Sequence, residues 1–273
     1  MYGNEPIDLS KALNLNDFRN MRESGEKIAC LTAYDATMAA AEDRAGVDLV
    51  LVGDSLGMVI HGDNTTVPVT TEDIAYHCRA VDAGLQRAFM VADMPFLSFA
   101  TRDMALHNAA TLMQQGRAKM VKLEGGEIQA DIVRYLTERG VPVCGHIGLQ
   151  PQLIHKLGGF KVQGREDAAA EAMLNDARAL EQAGADLLLV ECVPAALGER
   201  LRAAVSVPVI GIGAGPATDG QILVVYDMLG LTTGRRPRFV RDFMEGAESI
   251  EAALAAYVQA VKNGSYPAET HCF

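Results

Sequence analysis

Acidic side chains follow several short apolar runs of this sequence, at the point where each run ends. The four acids in such positions are Asp54, Asp93, Glu124 and Glu191. Each of them taken alone could be an ordinary loop residue. Four carboxylates brought together in a half-buried site would repel one another, and a hard divalent cation that prefers oxygen ligands, such as Mg²⁺, would relieve that repulsion. No His-rich or Cys-rich ligand set accompanies them, which disfavours zinc.

Further polar residues end or interrupt the apolar runs. His146 ends one run, and the pair Tyr34-Asp35 ends another. Lys122 lies two residues before Glu124, so on a β-strand the two side chains face the same way. A lysine inside an apolar strand is rare unless it is paired. Lys122 and Glu124 therefore form either a structural ion pair or a functional one, with Lys122 beside an anionic substrate and Glu124 near a metal, and the residues alone leave both open.

The segment GIGAGP at 211–216 resembles a dinucleotide-binding glycine motif. That motif needs a third glycine where this chain has Pro216, and it belongs in the first strand–helix unit of a fold, whereas this segment comes late in the chain. We therefore expect a tight turn after a strand, near a cofactor or substrate pocket, and no dinucleotide site.

Eight apolar runs carry these residues, and helix-length segments lie between most of them. The runs cover 27–35, 48–55, 87–96, 120–125, 141–148, 186–192, 207–215 and 221–229. Strands that are apolar on both faces and alternate with helices indicate a parallel sheet covered by helices. Eight strands in 273 residues predict a closed (β/α)8 barrel, the TIM barrel, with an open doubly wound sheet as the alternative. The carboxyl ends of barrel strands share one face, which would bring the acids together.

Helices are predicted where a helical period is bounded by capping residues. These segments cover 70–84, 101–116, 166–184 and 246–264. A further amphipathic helix over 8–24 precedes the first strand, and we expect it to close the bottom of the barrel. The chain is thus expected to be a single barrel domain over 1–273, with 1–26 as an N-terminal helical extension.

The composition excludes several classes of protein. Hydrophobic residues make up 49% of the chain, enough for a large core, and 24 basic against 35 acidic residues give a net charge of -11, which disfavours a nucleic-acid binder. No apolar run is long enough to span a membrane, and the first residues carry no apolar secretory signal. The five cysteines form no C-x-x-C pair and suit a reducing compartment. We expect a cytoplasmic protein that binds neither nucleic acid nor membrane.

Several motifs, in order, resemble those of the ketopantoate hydroxymethyltransferase family. They are GDSLGM (53–58), ADMPF (92–96), VKLEGG (121–126), VCGHIGLQPQ (143–152), GGFKVQG (158–164), ECVP (191–194) and VIGIGAGPATDGQILV (209–224). The resemblance runs from about residue 8 to about residue 245 without large gaps. The closing stretch, 246–273, is not diagnostic.

The resemblance implies a (β/α)8 barrel that uses Mg²⁺ to transfer a hydroxymethyl group from 5,10-methylenetetrahydrofolate to 3-methyl-2-oxobutanoate, giving 2-dehydropantoate for pantothenate biosynthesis. By motif match, the residues of the metal site are Asp54, Asp93 and Glu124. The substrate contacts are Asp54, Ser55, Asp93 and Lys122, with His146 also at the site. Glu191 matches the general base. Small molecules are thus the expected substrates, and the family usually assembles as a homo-oligomer, often a decamer.

The residues also suit this chemistry on independent grounds. A 2-oxo acid can bind Mg²⁺ through its keto and carboxylate oxygens, and a buried carboxylate can act as the base that removes the C3 proton. An alternative is a Mg²⁺-dependent 2-oxo-acid lyase or mutase of the phosphoenolpyruvate mutase and isocitrate lyase type. Those enzymes commonly carry a KKCGH signature, of which this chain has only CGH at 144–146. A non-enzymatic ligand-binding barrel would leave the acids without a task.

Four arginines lie close together at 235, 236, 238 and 241, which is unusual in so acidic a chain. They could form a solvated basic face that offsets nearby acids. They could also attract the polyglutamate tail of a folate, which is a chain of carboxylates. The sequence leaves both readings open.

Overall fold

Eight parallel strands close into a barrel in the computed structural model, which describes Leu9, 11–234 and 236–273. The strands are β1 (Ile28–Thr32), β2 (Leu49–Val52), β3 (Phe89–Asp93), β4 (Met120–Glu124), β5 (Val143–Gly148), β6 (Leu187–Glu191), β7 (Val209–Ile212) and β8 (Gly220–Leu223). They follow one another in sequence order around the barrel. The pairing of Ile28 with Gly220 closes β1 against β8, so the TIM barrel is confirmed and the open sheet is excluded.

Helices cover the outside of this barrel. They are α1 (Leu15–Ser24), α2 (Ala36–Ala45), α3 (Thr71–Asp82), α4 (Arg102–Ala110), α5 (Ala130–Thr137), α6 (Ile154–Leu157), α7 (Asp167–Gln182), α8 (Ala195–Ala204), α9 (Val225–Met228) and α10 (Ile250–Lys262). Short single turns lie at 57–61, 111–115, 127–129, 151–153 and 269–271. None of the described helices is both long and apolar enough to cross a membrane.

Several element boundaries differ from the sequence prediction, and two of them have a clear local cause. The first helix begins at Leu15 and not at residue 8, because Asn14 caps it by accepting a hydrogen bond from Asn16 while Asp17 bonds back to the Asn14 amide. Residues 8 and 10 lie outside the described ones. The eighth strand ends at Leu223, because helix α9 begins at Val225. The Val225 amide donates a hydrogen bond to the Thr32 hydroxyl at 3.1 Å.

Alternate residues of the strands pack into two separate layers. One side faces the helices, with Ala29 and Leu31 of β1 as examples. The other side fills the barrel interior, which Ile28 and Cys30 share with residues from the other strands. Phe18 of α1 joins this interior layer and meets the ring of Phe89 edge-on, with ring centroids 5.4 Å apart. Helix α1 therefore closes the amino-terminal end of the barrel.

Two buried acids at this amino-terminal end, Asp48 and Asp219, are paired with basic residues. Asp48 lies 2.7 Å from Arg87 and 2.6 Å from Lys262. Asp219 bonds to both Arg22 and Arg202. Such pairing is typical of the face of a TIM barrel that contributes stability and not catalysis.

The GIGAGP segment comprises the last two residues of β7 and the first four of the loop to β8. Gly213 and Gly215 adopt positive φ angles of 62° and 81°, a conformation that favours glycine. No helix of the phosphate-binding kind follows this loop, because the chain enters β8 directly at Gly220. The segment is a tight turn, as expected.

Replacing Phe18 by alanine should lower the stability of the fold, because the Phe18 ring anchors α1 in the interior layer of the barrel. Phe18 is 1% exposed, and truncating a buried phenylalanine costs about 3–5 kcal/mol. Urea unfolding checks the value. Phe160→Ala is the matched control, because Phe160 is 55% exposed and its loss should cost no more than about 0.5 kcal/mol. Equal stabilities for the two variants would show that α1 does not close the core.

Candidate active site

The carboxyl ends of the strands surround one cavity of about 850 Å³. All of the residues that the sequence assigns to the site line it: Asp54, Ser55, Asp93, Lys122, Glu124, His146 and Glu191. Asp93, Glu124 and Glu191 are the last residues of β3, β4 and β6, and Asp54 lies two residues beyond β2. Parallel strands in sequence order therefore bring together side chains that lie far apart in the chain.

Asp54 and Asp93 form a buried carboxylate pair on adjacent strands. The backbone amide of Asp54 donates to Asp93 Oδ2 at 3.2 Å. Burial, and next the charge of Asp93, raise the pKa of Asp54 to about 7. The Asp54 carboxyl therefore titrates near neutral pH.

Lys122 supplies the positive charge of the inner site. Its ammonium lies 2.8 Å from Asp93 Oδ1, its neighbour across the β3–β4 ladder, and 4.0 Å from Glu124 Oε1. The closest partner is thus Asp93 and not Glu124. The contact is an ion pair without the direction of a hydrogen bond, since Asp93 Oδ1 has no hydrogen-bond donor. Burial lowers the pKa of Lys122, but the surrounding carboxylates outweigh burial and raise it above its ordinary value, so the side chain is charged.

His146 connects Lys122 with Glu191. The Lys122 ammonium lies 3.2 Å from His146 Nδ1, and His146 Nε2 lies 3.2 Å from Glu191 Oε2. Burial, and next the charge of Lys122, hold the pKa of His146 well below its usual range, so the ring is neutral. Because the ammonium can only donate, Nδ1 accepts and the ring proton is assigned to Nε2, where it faces the Glu191 carboxylate.

Glu191 is the acid of the site with the weakest ties to other groups. Its side chain is 14% exposed to the cavity, and burial raises its pKa to about 8. The next residue, Cys192, has a φ of 49°, a left-handed conformation that costs a non-glycine residue energy and is found at functional sites. Gly148 at the end of β5 also approaches the Glu191 backbone so closely that a Cβ there would lie 2.2 Å from the Glu191 carbonyl oxygen.

Gln152 belongs to the site although the sequence prediction gave it no role. Its side-chain amide donates to Asp54 Oδ2 at 2.9 Å and to the Met94 carbonyl at 3.0 Å. Its backbone amide donates to Glu124 Oε2 at 3.1 Å. The only signal in the sequence was its place in the QPQ motif, which follows β5. Gln152 holds the two carboxylates in fixed orientations.

The first strand contributes less than its polar ending indicates. The Tyr34 hydroxyl lies 2.9 Å from the Ser55 hydroxyl and thereby orients Ser55 at the cavity wall. Asp35, in contrast, caps α2 by accepting the amides of Thr37 and Met38 at 2.8 and 2.9 Å. Its acid is therefore structural.

The donor set fits a hard cation that keeps some of its ligand positions for other groups. Asp93 Oδ1 and Glu124 Oε1 are buried oxygens without a hydrogen-bond partner. Within the described part of the chain, no three His, Cys, Asp or Glu side chains are already arranged to hold a metal by themselves. Mg²⁺ is commonly held by one or two carboxylates, with water and substrate oxygens as the other ligands, so the Asp54–Asp93 pair suits it.

Without divalent cations, the stability of the protein should fall as the pH rises from about 4 to about 7. The pKa of Asp54 is about 7 in the folded chain and near 3.8 otherwise, so the unfolded chain binds fewer protons over this interval. The loss should reach a few kcal/mol. Asp54→Asn should make this decline shallower, which urea unfolding at several pH values measures. A decline as steep as in the wild type would contradict the assignment.

Comparisons with known proteins cover almost the whole chain. The model of the family described as ketopantoate hydroxymethyltransferase matches residues 12–269. The 3-methyl-2-oxobutanoate hydroxymethyltransferase of Alkalilimnicola ehrlichii is 58% identical over 273 residues, which is 100% of this chain and 99% of that protein. The enzyme of the same name from Marinobacter nauticus is 55% identical and covers 96% of this chain and 99% of its own length.

Similar solved structures share the fold at low sequence identity. A putative phosphonomutase from Burkholderia cenocepacia J2315 has a TM-score of 0.62 at 17% identity, over 80% of this chain and 95% of that one. A 2,3-dimethylmalate lyase of the phosphoenolpyruvate mutase and isocitrate lyase superfamily has a TM-score of 0.57 at 14% identity, over 79% of this chain and 82% of that one. These structures support the barrel alone, whereas the full-length relatives identify the group: this chain belongs to the ketopantoate hydroxymethyltransferase family.

Proposed function

We propose that this chain transfers a hydroxymethyl group from 5,10-methylenetetrahydrofolate to 3-methyl-2-oxobutanoate, giving 2-dehydropantoate. Full-length relatives at 51–58% identity carry the name of this activity. The observation that carries the proposal is the buried series Asp93, Lys122, His146 and Glu191, whose successive contacts of 2.8, 3.2 and 3.2 Å end on a carboxylate open to the cavity. A 2-oxo acid needs such a base to become a carbon nucleophile.

Asp54 and Asp93, together with Glu124, are the residues that would hold Mg²⁺. When bound there, the ion supplies a Lewis acid that polarises the keto group of the substrate. The raised pKa values of Asp54 and Glu124, both caused first by burial, support a site whose carboxylates the Lys122 ammonium does not fully neutralise until a cation binds. Gln152 keeps these two carboxylates in place through its two amide groups.

Lys122 and Ser55 would orient the substrate. The Lys122 ammonium is held charged in a buried position, where it attracts the carboxylate of a 2-oxo acid much more strongly than it would in water. The Ser55 hydroxyl, fixed by Tyr34, offers a hydrogen bond from the neighbouring wall. Both contacts leave C3 of the substrate free to face another side of the cavity.

Glu191 would take the C3 proton. The proton passes from carbon to the Glu191 carboxylate, and the electron pair of the broken C–H bond moves towards the keto oxygen. His146 Nε2 lies 3.2 Å from this carboxylate, near enough for electrostatic attraction but without the direction of a hydrogen bond. C3 then forms a new carbon–carbon bond with the one-carbon unit of the folate, and water provides the hydroxyl oxygen. The two carbon–nitrogen bonds of that unit break, and tetrahydrofolate leaves with one proton on each of the two nitrogens, one proton from C3 by way of Glu191 and one from the water.

A lyase or mutase of the phosphoenolpyruvate mutase type would use a similar barrel mouth. The solved structures of that group share 12–17% identity with this chain, and the KKCGH signature is absent. Turnover of 3-methyl-2-oxobutanoate with methylenetetrahydrofolate separates the two functions. A non-enzymatic barrel would bind neither Mg²⁺ nor a 2-oxo acid.

The proposal includes assembly into a homo-oligomer, as a decamer. Large apolar side chains on the outer surface support an assembly. Ile60 is 41% exposed and Tyr76 is 63% exposed, and the stacking of His61 near His77 places these two segments side by side. Exposed apolar groups that lie together often mark contacts between subunits.

Asp54→Ala and Asp93→Ala should each weaken Mg²⁺ binding by at least about tenfold while the barrel remains folded. Removing one of two repelling carboxylates takes away a ligand and leaves the core intact. Titration calorimetry with Mg²⁺ measures the affinity, and circular dichroism checks the fold. Asp131→Ala is the control, because Asp131 is an exposed carboxylate paired with Arg102. Wild-type affinity in both site variants would rule out the metal assignment.

Glu191→Gln should abolish most exchange of the C3 hydrogen of 3-methyl-2-oxobutanoate with deuterated water in the absence of folate. Glutamine keeps the shape of the side chain but cannot accept the proton, and losing a general base slows a reaction by roughly 10²–10⁴-fold. Proton NMR follows the exchange. Mg²⁺ affinity should stay near the wild-type value.

Near-normal exchange in Glu191→Gln would show that another group is the base. His146 would then be the next candidate, because its Nε2 lies 3.2 Å from Glu191 Oε2 and accepts a proton when the ring is in the other tautomer, with its N–H on Nδ1. The corresponding test is the exchange rate of His146→Gln.

A further inference from the structure

The cavity is larger than one small substrate requires. Its volume of about 850 Å³ lies near the upper end of the roughly 300–1,000 Å³ that holds a drug-sized ligand. A five-carbon 2-oxo acid at the inner carboxylates would leave most of this space open. The remaining space has walls of a different kind, which we call the outer chamber and define by Phe160, Phe239, Phe273, Arg236 and Arg238.

Two aromatic side chains of the outer chamber pack against the end of β7. A Cβ at Gly213 would lie 2.8 Å from the Phe239 ring and 3.2 Å from the Phe273 ring. Gly213 directly follows Ile212, which is the ladder partner of Glu191. The Phe239 and Phe273 rings, 6.4 Å apart, therefore form an aromatic wall beside the proposed base.

Backbone hydrogen bonds also connect the residues that follow Glu191 to Phe273 and to the loop that carries Phe160. Ala195 donates its amide to the Phe273 carbonyl oxygen at 3.1 Å, and Gln163 donates to the Cys192 carbonyl at 2.8 Å. The second bond holds the loop that carries Phe160, whose exposed ring lines the same cavity. All three aromatic rings are thus attached next to the β6 and β7 ends.

The three described arginines of the basic cluster differ in their availability. Arg236 lines the chamber, but it is paired with Asp242 at 2.7 Å and approaches Glu245 at 3.9 Å. Arg241 lies over the Phe243 ring and is not part of the cavity wall. Arg235 lies outside the described residues.

Arg238 is both at the cavity and free of carboxylates. It donates from Nε to the Thr270 carbonyl at 3.1 Å, and its guanidinium lies 5.9 Å from the centre of the Phe273 ring. Among the described residues it has no carboxylate partner, so its charge is available to an anion that enters the chamber. A guanidinium held in this way is well suited to bind a carboxylate through two parallel hydrogen bonds.

We propose that the outer chamber binds the folate co-substrate, with the aromatic wall of Phe239 and Phe273 against its flat rings and Arg238 on a carboxylate of its glutamate tail. The assignment rests on the proposed function. It follows because the one-carbon donor must reach the carbon that Glu191 deprotonates, and the wall lies beside Glu191. A flat ring stacks on the aromatic faces of Phe239 and Phe273. A carboxylate of the tail supplies the negatively charged partner that the Arg238 guanidinium does not have among the described residues.

Arg238→Ala should raise the KM for 5,10-methylenetetrahydrofolate about tenfold, because a charged hydrogen bond contributes about that much to affinity. The folate-independent C3 exchange should stay at the wild-type rate. Phe273→Leu, which keeps apolar volume but removes the aromatic face, should raise the same KM and also leave exchange unchanged. Arg241→Ala is the matched control, an exposed arginine near an aromatic ring that does not line the cavity, and it should behave as the wild type.

The two proposals fail in different ways. A wild-type KM for folate in both Arg238→Ala and Phe273→Leu would overturn the outer-chamber assignment while leaving the proposed reaction intact. Loss of C3 exchange together with transfer in both variants would also overturn it, since the chamber would then not be separate from the enolisation site. Absence of C3 exchange in the wild-type enzyme with Mg²⁺ would instead contradict the proposed function.

Discussion

The charge of Lys122 is the feature on which the barrel mouth depends. One ammonium is buried among four carboxylates, closest to Asp93 at 2.8 Å, and neutralises only part of their charge. The remaining excess, together with burial, raises the pKa values of Asp54 and Glu191 to about 7 and about 8. The site thus favours both a cation that completes the neutralisation and a carboxylate that accepts a proton near neutral pH.

The buried acids at the two ends of the barrel have different partners. At the amino-terminal end, Asp48 and Asp219 each have two basic partners. At the other end, Asp93 and Glu124 share a single ammonium, that of Lys122, and Asp93 Oδ1 and Glu124 Oε1 accept no hydrogen bond. A barrel that satisfied its acids equally at both ends would be more stable but would have no group ready to bind a cation or take a proton. The ion pairs at the amino-terminal end therefore stabilise the fold, and the acids at the carboxyl end can remain incompletely paired.

The cavity joins two kinds of surface. Its inner part is charged and fixed by the strands, so it suits a small anion with a metal. The outer chamber is aromatic and basic, and its residues lie in the loop after β5, in the segment after β8 and α9, and at Phe273. Strands hold atoms more rigidly than loops do. This division suits a reaction in which the proton is removed at the inner part and the larger partner arrives from outside.

The sequence alone determined the eight strands and the polar residues at their ends, because apolar periodicity and strand endings are local properties of the chain. Family motifs then predicted the roles of the site residues. Only the tertiary structure decided that Lys122 pairs mainly with Asp93 across the ladder, that Gln152 binds Asp54 from 98 residues away, and that Phe273 forms part of the cavity wall. These contacts depend on strand register and on loops that return to the barrel mouth, and neither leaves a periodic pattern in the sequence.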